Sequence, residues 1–92
     1  MDKDLIRMRQ LRVKQAILKG RLATHELYAS KLRSNITHAW DDESKDNVVT
    51  TNALLLQEAR EDIRACQSQL KSTKFLIKLH NWAYEDRRSQ KK

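Results

Sequence analysis

The chain has 92 residues, no Pro, one Gly and one Cys, and 19 Lys and Arg against 12 Asp and Glu, a formal charge of +7. That length supports one domain, and a single Cys leaves no intramolecular disulfide. No apolar run approaches the roughly 18 residues of a membrane-spanning helix.

The first ten residues lack the apolar stretch of a secretory leader. With the lone thiol, this predicts an intracellular, reducing setting: the cytoplasm, or the host-cell cytoplasm if the chain is viral. In such a setting the sequon at Asn35, Ile36 and Thr37 is read as chance.

The first helix is expected over about 3–39. Acids at Asp2 and Asp4 suit the positive end of its dipole. Its apolar stripe runs Met8, Leu11, Gln15, Leu18, Leu22, His25, Ala29, Leu32 and Ile36. Alternating three- and four-residue steps mark a helix that buries one seam.

Basic residues border that seam on both sides. Arg7, Lys14 and Arg21 repeat along one flank, and Arg12, Lys19 and Arg33 lie along the other. Seven residues of helix rise about 10.5 Å, so these side chains form two basic rails.

The stretch 41–47 reads as an acidic turn with several candidate caps. Asp42, Ser44 and Asp46 begin like a calcium loop. The sixth position is Asn47 where Gly is needed, and the twelfth is Ala53 where a bidentate Glu is needed. The acids are therefore read as a solvated turn with capping duty.

The second helix is expected over about 48–86, its start weakened by the β-branched run Val48, Val49, Thr50 and Thr51. Its seam is Asn52, Leu56, Ala59, Ile63, Cys66, Leu70, Thr73, Ile77, His80 and Tyr84. Residues 87–92 have nothing to bury and are expected to fray, with Arg87 and Arg88 adding to a basic tail.

The two seams match antiparallel in one register: 36 with 52, 32 with 56, 22 with 66, 18 with 70, 11 with 77. The fold class expected is thus all-α, an antiparallel two-helix hairpin of coiled-coil type spanning 1–86 as one domain. Gln15 facing Thr73 would be a polar layer that fixes register at some expense of stability.

A second apolar set lies on the helix backs. On the first helix it is Ile6, Val13, Ile17, Gly20 and Leu27, beside Ala16 and Ala23. On the second it is Phe75, Leu76, Leu79, Trp82 and Ala83. One hairpin cannot cover these residues, and a helix apolar on two faces needs two neighbours. A homodimer forming a four-helix bundle is expected through Ile6, Val13, Ile17, Leu27, Phe75, Leu76, Leu79 and Trp82. The alternative is a short fold-back of one terminus.

Charge follows sequence position. Residues 1–36 hold nine bases and three acids, 37–60 two and five, 61–92 eight and four. Blocks of this kind suit a polyanion or an acidic protein surface. Arg7, Arg12, Lys14, Lys19, Arg21, Arg33, Arg87 and Arg88 are the candidate phosphate contacts. The chain has no helix-turn-helix pattern, zinc-finger spacing or RNA-binding sheet, so recognition by backbone and shape is expected, of RNA or of a duplex. The plain alternative is a solvated basic face that aids solubility and shields apolar surface.

Catalysis is not expected. The chain has no Gly-rich phosphate loop, nucleophile elbow or HExxH, and the seam carries no Lys, Arg, Asp or Glu from Met8 to Tyr84. His25, His38, His80 and Cys66 do not make a four-ligand zinc set, and a seam Cys is ordinarily a small apolar residue. No metal, cofactor or small-molecule substrate is expected. In shape a basic, self-associating hairpin resembles the plasmid-encoded RNA-binding hairpin dimers and the small viral duplex-RNA binders. That is a likeness of fold and carries no function. The rival expectation is a protein–protein adaptor: a secretion chaperone, a phage or viral inhibitor, or an assembly subunit working through the apolar backs and Trp82.

Overall fold

The computed structural model describes residues 3–90. Helix α1 spans Lys3–Ala39, a 3-10 turn spans Glu43–Lys45, and helix α2 spans Asp46–Gln90. Among the described residues there is no strand, so the fold is an all-α two-helix hairpin. With no Pro and a single Gly, nothing forces a break inside either helix. Charges favour the ends as well: Asp4 and Asp46 lie in first turns, and His38, Arg87 and Arg88 in last turns.

The connection is built from local hydrogen bonds. The Asp42 carboxylate accepts from the Ser44 backbone N–H at 3.0 Å and from its hydroxyl at 2.6 Å. The Lys45 N–H donates to the Asp42 carbonyl at 2.9 Å, and the Asp46 N–H donates to that of Glu43. These bonds lead directly into α2. The helix therefore starts at Asp46, ahead of the expected 48, and its β-branched opening does not delay it. Weak propensity there costs up to about 0.7 kcal/mol per residue. It is outweighed by the caps and by Val49 and Asn52, which are half-buried.

The chain divides into two compact units. One comprises residues 21–67 and the other residues 1–20 with 68–92.

In the unit 21–67, Ala29, Leu32, Leu56 and Ala59 form a buried cluster with Ile36, Leu55 and Ile63 against it. Cys66 and Ala39 are also buried. Asn35 Nδ2 donates to Asn52 Oδ1 at 3.2 Å across the helices, and Asn52 Nδ2 donates to the Val48 carbonyl at 2.7 Å. This places 52 beside 35, one residue from the expected partner 36. The Asn35 amide of the sequon is thus engaged within the hairpin. His38 Nδ1–H donates to the Ser34 carbonyl at 2.7 Å and closes the last turn of α1.

In the other unit, Leu11, Leu18, Leu70 and Thr73 are buried, with Met8, Gln15, Ile77 and His80 half-buried. Thr73 is 1% exposed, and its hydroxyl donates to the Gln69 carbonyl at 2.8 Å. The buried polar side chain is thus satisfied within its own helix. Arg87 reaches Asp4 at 2.6 Å. The α2 end differs from expectation. Helix continues through Gln90 instead of fraying after 86, and Arg87 is held by a cross-helix ion pair. Asp2, Lys91 and Lys92 lie outside the described residues.

Of the seam residues read from the sequence, only Tyr84 is exposed. The half-buried residue there is Ala83. The half-buried stripe leaves the strict heptad in its last turns and follows His80 and Ala83.

Candidate functional site

Charge and exposed apolar surface both concentrate in the unit formed by residues 1–20 and 68–92. It holds thirteen Lys and Arg against four acids, a formal +9. The unit 21–67 holds six against eight, a formal −2. Antiparallel folding brings two basic stretches, distant in sequence, into one body. The sequence showed the blocks at the chain ends; the hairpin gathers them in one unit.

The candidate phosphate contacts are divided by this partition. Arg7, Arg12, Lys14, Lys19, Arg87 and Arg88 belong to the basic unit, whereas Arg21 and Arg33 belong to the other. All eight are exposed. Arg87 is the one committed to an ion pair, with Asp4. Arg7, Arg12, Lys14 and Lys19 flank the buried seam of α1, which sets their spacing along the helix. Arg9 and the α2 bases Lys71, Lys74 and Lys78 are exposed in the same unit. They stand outside the expected set: Lys74 flanks the α2 seam, where it leaves the α1 rails unneutralised, and Arg9, Lys71 and Lys78 lie off both seam flanks.

The apolar backs are exposed as well. Fourteen large apolar side chains are exposed in the described chain, nine of them in the basic unit: Leu5, Ile6, Val13, Ile17, Phe75, Leu76, Leu79, Trp82 and Tyr84. Phe75 and Trp82 are 62% and 66% exposed. Leu27 is exposed in the other unit, with Tyr28, Trp40, Val48 and Leu54. Leu5 escaped the sequence reading because it lies beside the back row rather than on it.

Two shallow clefts mark the backs in the basic unit. Ile6, Arg9, Gln10 and Val13 line one on α1, and Lys71, Ser72, Phe75 and Leu76 line one on α2. Each joins apolar side chains to a basic residue. In the unit 21–67, Trp40 lines a separate cleft with Asp46, Val49 and Thr50.

The acidic turn is built as a cap. The Ser44 hydroxyl, and then its backbone N–H, hold the Asp42 carboxyl below its ordinary value, with Lys45 adding a favourable charge. Among the described residues no group of three His, Cys, Asp or Glu is arranged to hold a metal ion. No described helix is long and apolar enough to cross a membrane. Cys66 is a buried free thiol.

The chain matches no protein-family model, no curated protein and no solved structure.

Proposed function

We propose that this chain is a small binding protein that holds nucleic acid, RNA or a duplex, by its phosphate backbone. The observation that carries this reading is the formal +9 gathered in one unit. Each Lys or Arg placed at a phosphate releases condensed counterions, so a surface of this kind favours nucleic acid without reading bases. Arg7, Arg12, Lys14 and Lys19 are the main contacts, and Arg88 adds to them. Arg87 contributes less, because binding must compete with its pairing to Asp4.

The test is a salt titration of binding to a short RNA duplex and a DNA duplex. On DNA, log K should fall by roughly 0.9 per phosphate contact as log salt rises. Reversing Arg7, Lys14 and Arg21 to Glu should abolish binding with helicity intact, because these side chains are exposed. Reversing Arg7 and Lys14 alone should account for most of that loss. The reading fails if the unaltered chain binds neither duplex nor single strand at low salt.

The nine exposed large apolar side chains in the same unit favour a second reading, a protein–protein adaptor. The homodimer and four-helix bundle expected from the sequence would use the same backs. Sedimentation of the free chain at high micromolar concentration tests for that dimer.

A further inference from the structure

The back of α2 carries a row of its own: Ser68, Ser72, Phe75, Leu79 and Trp82, spaced by steps of four, three, four and three. All five are exposed and lie within one unit. Two small side chains followed by three large ones, in heptad steps, give a helical neighbour both holes and knobs to pack against. Leu76 widens this face beside Phe75 and Leu79, but Ser68 and Ser72 in the same row give a lipid surface nothing to bury, and a phosphate backbone gains nothing from Phe75, Leu79 or Trp82 in this spacing.

Charge selects which helix packs there. Lys71 and Lys78 border one edge of the row, each one residue before a row position. A second copy laid antiparallel about Phe75 sets Lys71 against Lys78 of its partner, twice. Laid parallel, it sets Lys71 and Lys78 beside Leu76 and Ala83 of its partner, neither of which offers a carboxylate. The α1 back is no better, since Arg7, Arg9 and Lys14 border Ile6 and Val13. No pairing between backs of this chain gives both Lys71 and Lys78 a carboxylate: Glu85, the acid that follows them along the same edge, can reach only one of the two when copies pair antiparallel. A helix with acids beside its apolar stripe places carboxylates on Lys71 and Lys78.

We propose that the α2 back is a docking surface for an amphipathic helix of another protein, one whose apolar heptad stripe is bordered by Asp or Glu. The proposal rests on the adaptor reading and names its partner class; it does not need the nucleic-acid reading to hold.

The experiment uses the full chain with Trp40→Phe, so that Trp82 is the fluorescent reporter. Three synthetic helices of equal length serve as probes: Leu stripe with Glu flanks, Leu stripe with Lys flanks, and Ser stripe with Glu flanks. The first should shift Trp82 emission to the blue and bind at least tenfold more tightly than either of the others. Phe75→Glu should weaken it at least tenfold while circular dichroism holds, since Phe75 is exposed. Because that change also adds a charge, Lys71→Glu with Lys78→Glu is the second variant, and it should reverse the preference toward the Lys-flanked probe.

Equal binding of the two Leu-stripe probes overturns the proposal, as does equal binding of the Ser-stripe probe, which would signal charge attraction alone. A dimer of the unaltered chain that Phe75→Glu dissociates assigns the row to a second copy and overturns it too. So does a blue shift on vesicles of anionic lipid with none on the probes. Capture of an apolar helix on α1, surviving Phe75→Glu, would keep the adaptor reading while removing this surface. No binding to any probe, with duplex binding retained, removes the adaptor reading itself.

Discussion

Individual positions differ sharply in what they hold up. Leu18 is 2% exposed and Leu27 is 74% exposed. Leu18→Ala should lower unfolding free energy by about 2–5 kcal/mol, whereas Leu27→Ala should change it by less than about 0.5 kcal/mol. Chemical denaturation of the two variants checks this contrast. Asp42 gives a pH signature. Its carboxyl titrates below the ordinary value because Ser44 donates to it twice. A folded-state value below the unfolded one contributes stability that is present above the unfolded value and is lost as pH falls through the folded one. Ser44→Ala should therefore move the Asp42 carboxyl resonance to titrate nearer its usual range, and the variant should lose less stability on acidification. An unchanged titration would show that the cap is not formed in solution.

At the scale of elements, the seams were legible because a buried stripe imposes its spacing on the sequence. Eighteen of the nineteen positions read that way are buried or half-buried, and Tyr84 is the exception. The ends of α2 were less legible. The hydrogen bonds of Asp42 and Ser44 lead into its start, and its last turns carry an ion pair from Arg87 to Asp4, a residue 83 positions away. Heptad spacing records neither. The candidate surface was legible residue by residue but not as a body, because its charge is gathered by folding. Gly20 makes a prediction for α1. A Cβ built there meets nothing within 4 Å, and its φ is not positive. Gly20→Ala should thus stabilise the helix by about 0.5–1 kcal/mol, readable as a rise in thermal midpoint. Destabilisation would mean that a neighbour absent from the single hairpin packs against that position.

For the whole molecule, nine buried apolar side chains and one Thr are a thin core for the 88 residues described. On top of that, the basic unit folds against its own +9. Screening at 0.1 M salt reaches about 10 Å. Moderate NaCl should therefore raise the thermal midpoint of the free chain while it weakens duplex binding, two opposite salt responses from one cause. The rise should shrink when Arg7 and Lys14 are reversed to Glu, which lowers the repulsion directly. Scanning calorimetry at several salt concentrations separates this from a general salting-out effect, which the reversed chain would retain.

If the chain holds a polyanion as proposed, self-repulsion over a thin core makes that ligand part of the fold. An anion that binds only the folded chain adds stability by mass action, about 2.7 kcal/mol at a hundredfold excess over its dissociation constant. For a marginal hairpin that is a large fraction of the total. Engaged copies would then be long-lived, and idle copies would be the ones that open and meet proteases. Cellular abundance of the chain would follow the supply of its polyanion, with no dedicated regulator, because clearance acts on the unpartnered fraction.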